Sequence, residues 1–325
     1  MVNEEVSATK PKLKFLVGKN KKVLVRTTWK KAFQKDWRIY SLLVIPFLFL
    51  FIFKYIPMAG NIIAFRKFVP GGFIFGEEWV GLRYVKMFIN DPTFWKVFRN
   101  TLTLGGATLL FTFPLPIAFA LLLNEITSKK FKKFIQTASY LPHFLSTVIV
   151  AGILLELLAS KGAINVVIQF FTGETIPFIQ SPEWFRTIYI GSEIWQRTGY
   201  GAILYLAALT NIDESLYEAA KIDGANRWKQ TLFVTIPGIL PTVVTVFILN
   251  VGSFMAVGFE KIILLYNPLT YSTADVISTY LYRVGLQSNN FSYATAIGLF
   301  ESIIGLTLVL SSNKISQKLT QRSLW

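Results

Sequence analysis

Cysteine is absent from this 325-residue chain, histidine occurs once, and charged residues make up only 16% of it. Without cysteine there is no disulfide framework, no thiolate metal site and no cysteine nucleophile. The lone His143 has no second soft ligand to cluster with; next to Pro142, it reads as the start of an apolar helix near a membrane interface. No Gly-x-x-x-x-Gly-Lys-Ser/Thr phosphate loop occurs in the sequence. ATP hydrolysis is therefore not expected of this polypeptide, and it is expected to bind no cofactor of its own. The scarcity of charge beside 53% apolar and 15% aromatic residues excludes an ordinary soluble domain of this length.

What is present is apolar sequence in runs long enough to cross a bilayer, for which about 20 residues suffice. Six runs meet that standard or approach it: Ile39–Ile56, Thr101–Leu123, Thr137–Ala159, Ile188–Leu209, Thr242–Tyr266 and Ser292–Leu310. The stretch between Pro70 and Asn100 is interrupted by Gly71, Gly72, Glu77, Glu78, Asp91 and Pro92 too often to be a span. The expected fold class is all-α, a polytopic membrane protein with six transmembrane helices.

Basic residues fix the orientation. With the N-terminus inside, the cytoplasmic segments hold 21 of the 33 Lys and Arg residues and the external loops nine. The short loop carrying Lys129, Lys130, Lys132 and Lys133 agrees, so both termini are expected in the cytoplasm. The net charge of +15 follows loop topology, so nucleic acid is not an expected partner. Residues 1–38 form a basic cytoplasmic tail with no cleavable signal. The tail serves either to set topology on anionic headgroups or as a protein-binding arm. Residues 39–325 are expected to form the transmembrane domain.

The loop at residues 211–241 is more than a connector. Ser215 and Glu218 have capping-box spacing, as do Asn211 and Glu214 one turn earlier. Ala219 and Ala220 favour helix, Gly224 suits a left-handed helix end, and Asn226 is placed to cap a second helix. Pro237 and Pro241 are expected to stop that helix. Read from physics alone, this pair of short helices is equally a groove-binding element or an amphipathic element at the membrane surface.

Within the loop, Glu218-Ala219-Ala220, three residues, Gly224, nine residues and Val234-Thr235-Ile236-Pro237 resemble the EAA loop of permeases in binding-protein-dependent ABC importers. The family pattern ends in Ile-x-Leu-Pro, from which Val234 and Ile236 depart conservatively. Trp195, Gly199, Leu206-Ala207-Ala208-Leu209 and Ile222-Asp223-Gly224-Ala225 are similar to sugar-permease sequence. Gly258-Phe259-Glu260-Lys261, Leu265-Tyr266-Asn267-Pro268, Asp275 to Tyr280 and Tyr282 to Leu286 resemble its polysaccharide-type, LplB-like branch. Weaker echoes lie at Leu141 to Phe144 and Gly162 to Asn165, so the likeness runs from Trp79 to the end of the chain.

The resemblance implies a type I importer permease fold in a bacterial cell membrane. It implies a second homologous permease, two ATP-binding cassette ATPases that hold ATP and Mg, and an extracellular solute-binding protein. It further implies that Ser215, Tyr217, Glu218, Ala219, Ala220, Asp223, Gly224, Ala225 and Pro237 belong to the joint with an ATPase. The expected cargo is a carbohydrate, an oligosaccharide or polysaccharide fragment.

Ionisable groups deep in a bilayer are costly and point to function. Glu193 and Arg197 stand four apart on the fourth run with Trp195 and Gln196 beside them; Asn250 and Ser253 lie on the fifth and Glu301 on the sixth. Two readings stand: a sugar pathway lined with donors and acceptors, or polar bonds that knit helices or join the sister permease. Lys54, Glu260 and Lys261 lie near outer ends of runs and are expected to reach water. Rival functions are import of a peptide or phosphate compound, an ATPase-coupled sensor scaffold, and a membrane-embedded transferase. The transferase calls for a convergent acid, base or metal cluster, and the sequence offers none.

Overall fold

The computed structural model describes residues 29–320 except residue 256, so most of the expected basic tail lies outside the described residues. The described chain divides into two units between Ala59 and Gly60. In the first, helix α1 (Trp29–Leu50) passes through a π turn at Phe51–Tyr55 into α2 (Ile56–Ala59). The expected first span lies within this stretch.

The second unit opens with a small antiparallel ribbon, β1 (Arg66–Lys67) on β2 (Glu78–Trp79), with Arg66 opposite Trp79. Helices α3 (Arg83–Ile89), α4 (Pro92–Thr112) and α5 (Pro114–Glu125) follow. The start of α4 is set by Asp91, whose carboxylate accepts the Thr93 N–H at 2.8 Å, with Pro92 in the first helical position. Next come α6 (Lys129–Tyr140), α7 (Thr147–Leu158), α8 (Ala163–Thr172) and the long α9 (Pro182–Leu209). The remaining helices are α10 (Glu214–Ile222), α11 (Arg227–Gln230), α12 (Ile236–Gly252), α13 (Phe259–Leu265), α14 (Tyr271–Ala274), α15 (Ile277–Leu281) and α16 (Phe291–Thr320).

Among the described residues, five segments are long and apolar enough to cross a membrane: Trp37–Phe65, Pro92–Glu125, Thr147–Thr172, Arg227–Gly252 and Phe291–Lys318. With 28 residues, α9 is also long enough, reaching about 42 Å at 1.5 Å per residue. It is less apolar because it carries Glu183, Arg186, Glu193 and Arg197. It is also the axis of the core. Tyr189 is buried with Leu104 and Ile262, whereas Ala202 and Tyr205 are buried with Ala120 and Ile239. Gly199 lets α6 approach it closely, because a Cβ there would lie 2.1 Å from the Ser139 carbonyl oxygen.

Three expectations need correction. The expected third span is not one helix. After α6 the chain makes a 3-10 turn at Leu141–Phe144 and restarts at α7, where Ser146 accepts the Ile149 N–H at 3.3 Å. Pro142 lacks an N–H and disfavours helix in the residue before it, which explains the break. The expected fifth span also ends early: α12 stops at Gly252, and α13 begins only after residues 253–258. Finally, Pro237 and Pro241 do not stop the helix after Asn226. A π turn at Thr231–Thr235, in which the Ile236 N–H reaches the Thr231 carbonyl, accommodates Pro237 at the head of α12, and α12 continues through Pro241.

Candidate functional site

On α9, Glu193, Gln196, Arg197 and Tyr200 recur at helical spacing and so share one face. That face, with Pro116 of α5, Asn250 of α12, Lys261 of α13 and His143 of the 3-10 turn, encloses a cavity of about 830 Å3. A second cavity of about 190 Å3 adjoins Glu193, Arg197, Asn250 and Ser253.

Lys261 organises the polar wall. Its Nζ donates to Glu193 Oε1 at 2.5 Å, to Gln196 Oε1 at 2.9 Å and to Ser192 Oγ at 3.3 Å. Both Lys261 and Glu193 side chains are only 3% exposed. Lys261 therefore does not reach water at a helix end as expected. The break after Gly252 sends α13 back against α9, where the Tyr189 hydroxyl accepts the Gly258 N–H at 3.1 Å. The other Glu193 oxygen, Oε2, lies 2.5 Å from Arg197 Nε, while the Arg197 side chain is 58% exposed. Gln196 also donates to the Leu145 carbonyl at 3.2 Å, tying α9 to the turn ahead of α7.

On another part of the wall, the His143 ring stacks face to face on Tyr200, with centroids 3.7 Å apart and planes 6° from parallel. The sequence alone does not single out this pair; the available signal is Pro142, which breaks the helix and leaves His143 exposed in the turn that borders the cavity. The remaining candidates are distributed unevenly. Asn250 lines both cavities, although its side-chain amide also donates to Val246 O of its own helix at 2.9 Å. Ser253 lines the smaller one and donates to Asn250 O at 3.1 Å. Trp195 is exposed and Glu301 is half-buried on α16; neither lines these two cavities. The arrangement offers paired donors and acceptors beside aromatic faces, which suits holding a polar solute.

The loop between α9 and α12 is built mainly from local hydrogen bonds. Ser215 is not the cap of α10. Asp213 is, accepting the Ser215 N–H at 2.9 Å. This bond holds the Asp213 carboxyl below the usual aspartate range. Gly224, with φ of 75°, ends the helix in a Schellman motif: Ala225 N–H donates to Ala220 O at 2.9 Å and Gly224 N–H to Lys221 O at 3.0 Å. Asn226 caps α11 as expected, accepting the Lys229 N–H at 2.9 Å. Tyr217 bonds Thr235 at 3.0 Å, and Arg227 pairs with Glu125 at the end of α5 at 2.9 Å. Glu218, Ala219, Asp223 and Gly224 remain exposed, Ala220 and Ala225 half-buried, and Pro237 exposed at the head of α12.

A polar cavity among membrane-crossing helices, joined by one helix to an exposed helical loop, defines a polytopic membrane permease subunit. The family described as binding-protein-dependent transport system inner membrane component matches residues 112–322, and the chain belongs to that family as a multi-pass protein of the cell membrane. It is similar to Protein LplB of Bacillus subtilis (strain 168), with 42% identity over 299 residues, 92% of this chain and 94% of the relative. It is also similar to the polygalacturonan/rhamnogalacturonan transport system permease protein YteP of the same organism, with 41% identity over 312 residues, 96% of this chain and 95% of the relative. Among solved structures, a bacterial ABC transporter involved in the import of the acidic polysaccharide alginate has a chain with TM-score 0.83 and 42% identity, covering 90% of this chain and 99% of that one. A second structure of an alginate ABC transporter, in complex with an alginate pentasaccharide-bound periplasmic protein, gives TM-score 0.84 at 41% identity, covering 91% of this chain and 99% of that one.

Proposed function

We propose that this chain is the permease subunit of an ATP-driven carbohydrate importer and forms half of the translocation pathway for an oligosaccharide or polysaccharide fragment. The observation that carries the reading is the cavity of about 830 Å3, whose wall combines the Glu193–Lys261–Gln196 bonds with the His143–Tyr200 stack. Sugars present hydroxyls and an apolar ring face, and such a wall answers both. The names of relatives similar over nearly the whole chain, which concern polysaccharide transport, support the same cargo class.

In this reading a second homologous permease supplies the other half, and an extracellular solute-binding protein delivers the sugar. Two separate ATPases bind ATP and Mg and supply the energy. Each ATPase receives one coupling loop; here Glu218, Ala219, Ala220 and Gly224 form the joint. Exposed Ile222 and Trp228 support this, since partner-facing loops keep apolar residues out of their own core. The π turn fuses the loop to α12, which carries Asn250 to the cavity, so a push on the loop moves the cavity wall.

Uptake of radiolabelled oligosaccharides in cells lacking this subunit tests the proposal. The expected result is loss of uptake of at least one sugar, restored by the wild-type chain. Normal uptake of every sugar tested would overturn it.

A further inference from the structure

The polar wall contains one group that the fold does not need. Lys261 already joins α13 to α9 through Glu193, Gln196 and Ser192. Arg197, by contrast, forms its one ion pair among the described residues with Glu193, four residues away on its own helix, so that pair links no two elements. That contact uses Nε alone. The two terminal nitrogens form no hydrogen bond with any described residue, and the side chain lines both cavities with 58% exposure. Glu193 is meanwhile shared between two cations, so these three groups carry a net charge of +1 at neutral pH.

From this geometry we infer that the cavity accepts an acidic sugar and that Arg197 receives its carboxylate through the free guanidinium fork. This rests on the carbohydrate reading above and narrows it to uronate-containing glycans. The paired N–H groups of a guanidinium match a carboxylate in a bidentate contact, which lysine or an amide does not reproduce. With a neutral sugar the fork keeps only water and its Nε contact with Glu193, so the paired contact is gained by an acidic sugar alone. The stacked His143–Tyr200 pair is available for the ring face. Glu260 also lines the cavity and forms no ion pair with any described residue, so across the whole wall the formal charges of Glu193, Glu260, Arg197 and Lys261 cancel. Selection is therefore directional rather than a general attraction for anions, and Glu260 opposes it.

The test uses cells with the complete importer and two matched sets of labelled probes: galacturonate and mannuronate oligosaccharides, and the same oligosaccharides with their carboxyls reduced to alcohols. The wild type takes up the acidic set in preference. Arg197→Gln lowers acidic uptake about ten- to a hundredfold, as expected for a lost charge-assisted contact, with little change for any neutral probe. Arg197→Lys keeps the charge, loses the fork and falls between, while Glu260→Gln raises acidic uptake. Immunoblots of membranes verify levels; if Arg197→Gln fails to accumulate, the acidic-to-neutral ratio in Arg197→Lys and Glu260→Gln decides. Dependence of only the neutral set on this subunit, or an equal fall for both sets in the Arg197 variants, would overturn the inference and leave carbohydrate import standing. Uptake of both sets without any need for this subunit would remove the carbohydrate reading itself.

Discussion

Two loops at opposite ends of the helices are held together in opposite ways. The segment between α12 and α16, external by the charge count of the loops, is tied to distant parts of the chain. Asn100 donates to Ser272 O and Asp275 O at 3.0 and 3.1 Å, and Thr101 accepts the Ile277 N–H at 2.9 Å. Asp91 accepts from Tyr280 at 2.7 Å and from Tyr293 at 3.0 Å. Within the segment, Asp275 takes both arms of Arg283, at 2.8 and 2.5 Å, and the Thr279 hydroxyl at 2.7 Å. Those bonds hold the Arg283 guanidinium even more firmly charged than usual.

The cytoplasmic loop, in contrast, is shaped chiefly by bonds between residues no more than five apart, and its large apolar side chains face outward. Leu216, Ile222 and Trp228 are 53%, 86% and 76% exposed. One loop is completed by its own chain. The other has finished local geometry and unfinished burial, the condition of a surface that meets a partner.

The comparison is broken most severely by removing the ion pair within the external segment. Asp275→Ala leaves Arg283 without its carboxylate, and loss of one partner from a buried pair costs about 3–5 kcal/mol. Thermal unfolding of the detergent-solubilised protein should show a clear drop in midpoint. Next in size is Gly224→Val, which forces a β-branched residue into the left-handed region at a local cost of about 1–2 kcal/mol. Uptake is expected to fall strongly while the unfolding midpoint drops less than in Asp275→Ala, because few long-range contacts depend on that turn.

A smaller effect is expected from Asp213→Ala, which removes the α10 cap. The carboxyl is held below its unfolded-state pKa, so its contribution is complete above that value and is lost only as pH falls through the lowered one. Wild type and variant should thus differ by a constant amount from about pH 5 to 8 and converge in acid. Arg227→Ala should do least, costing about 0–1 kcal/mol, because the pair with Glu125 is exposed at 79% and 52%. A double-mutant cycle with Glu125→Ala measures that coupling.

The same contrast explains what the sequence disclosed. Local signals survived: the Gly224 helix end, the Asn226 cap and the apolar runs all depend on neighbours within a few residues. Even there, two chemically sound caps competed with Asp213, and the capping-box spacing of Ser215 and Glu218 pointed two residues too late. The prolines misled because a π turn, which has no sequence marker, relieved Pro237. Long-range geometry was the least legible. Lys261 meets Glu193 only because the chain breaks after Gly252 and folds back, across 68 positions of sequence. His143 gained its place in the cavity wall through a partner, Tyr200, that no spacing rule connects to it.

The absence of cysteine makes the central claim directly measurable. A single Ala219→Cys substitution introduces the only thiol in this chain, on the exposed face of α10. Its maleimide labelling is then compared in membranes with and without the partner ATPase subunits. Docking at this loop predicts rapid labelling of the permease without the ATPases and strong protection once they are assembled. Equal labelling in both membranes, in a complex that still imports sugar, would contradict it.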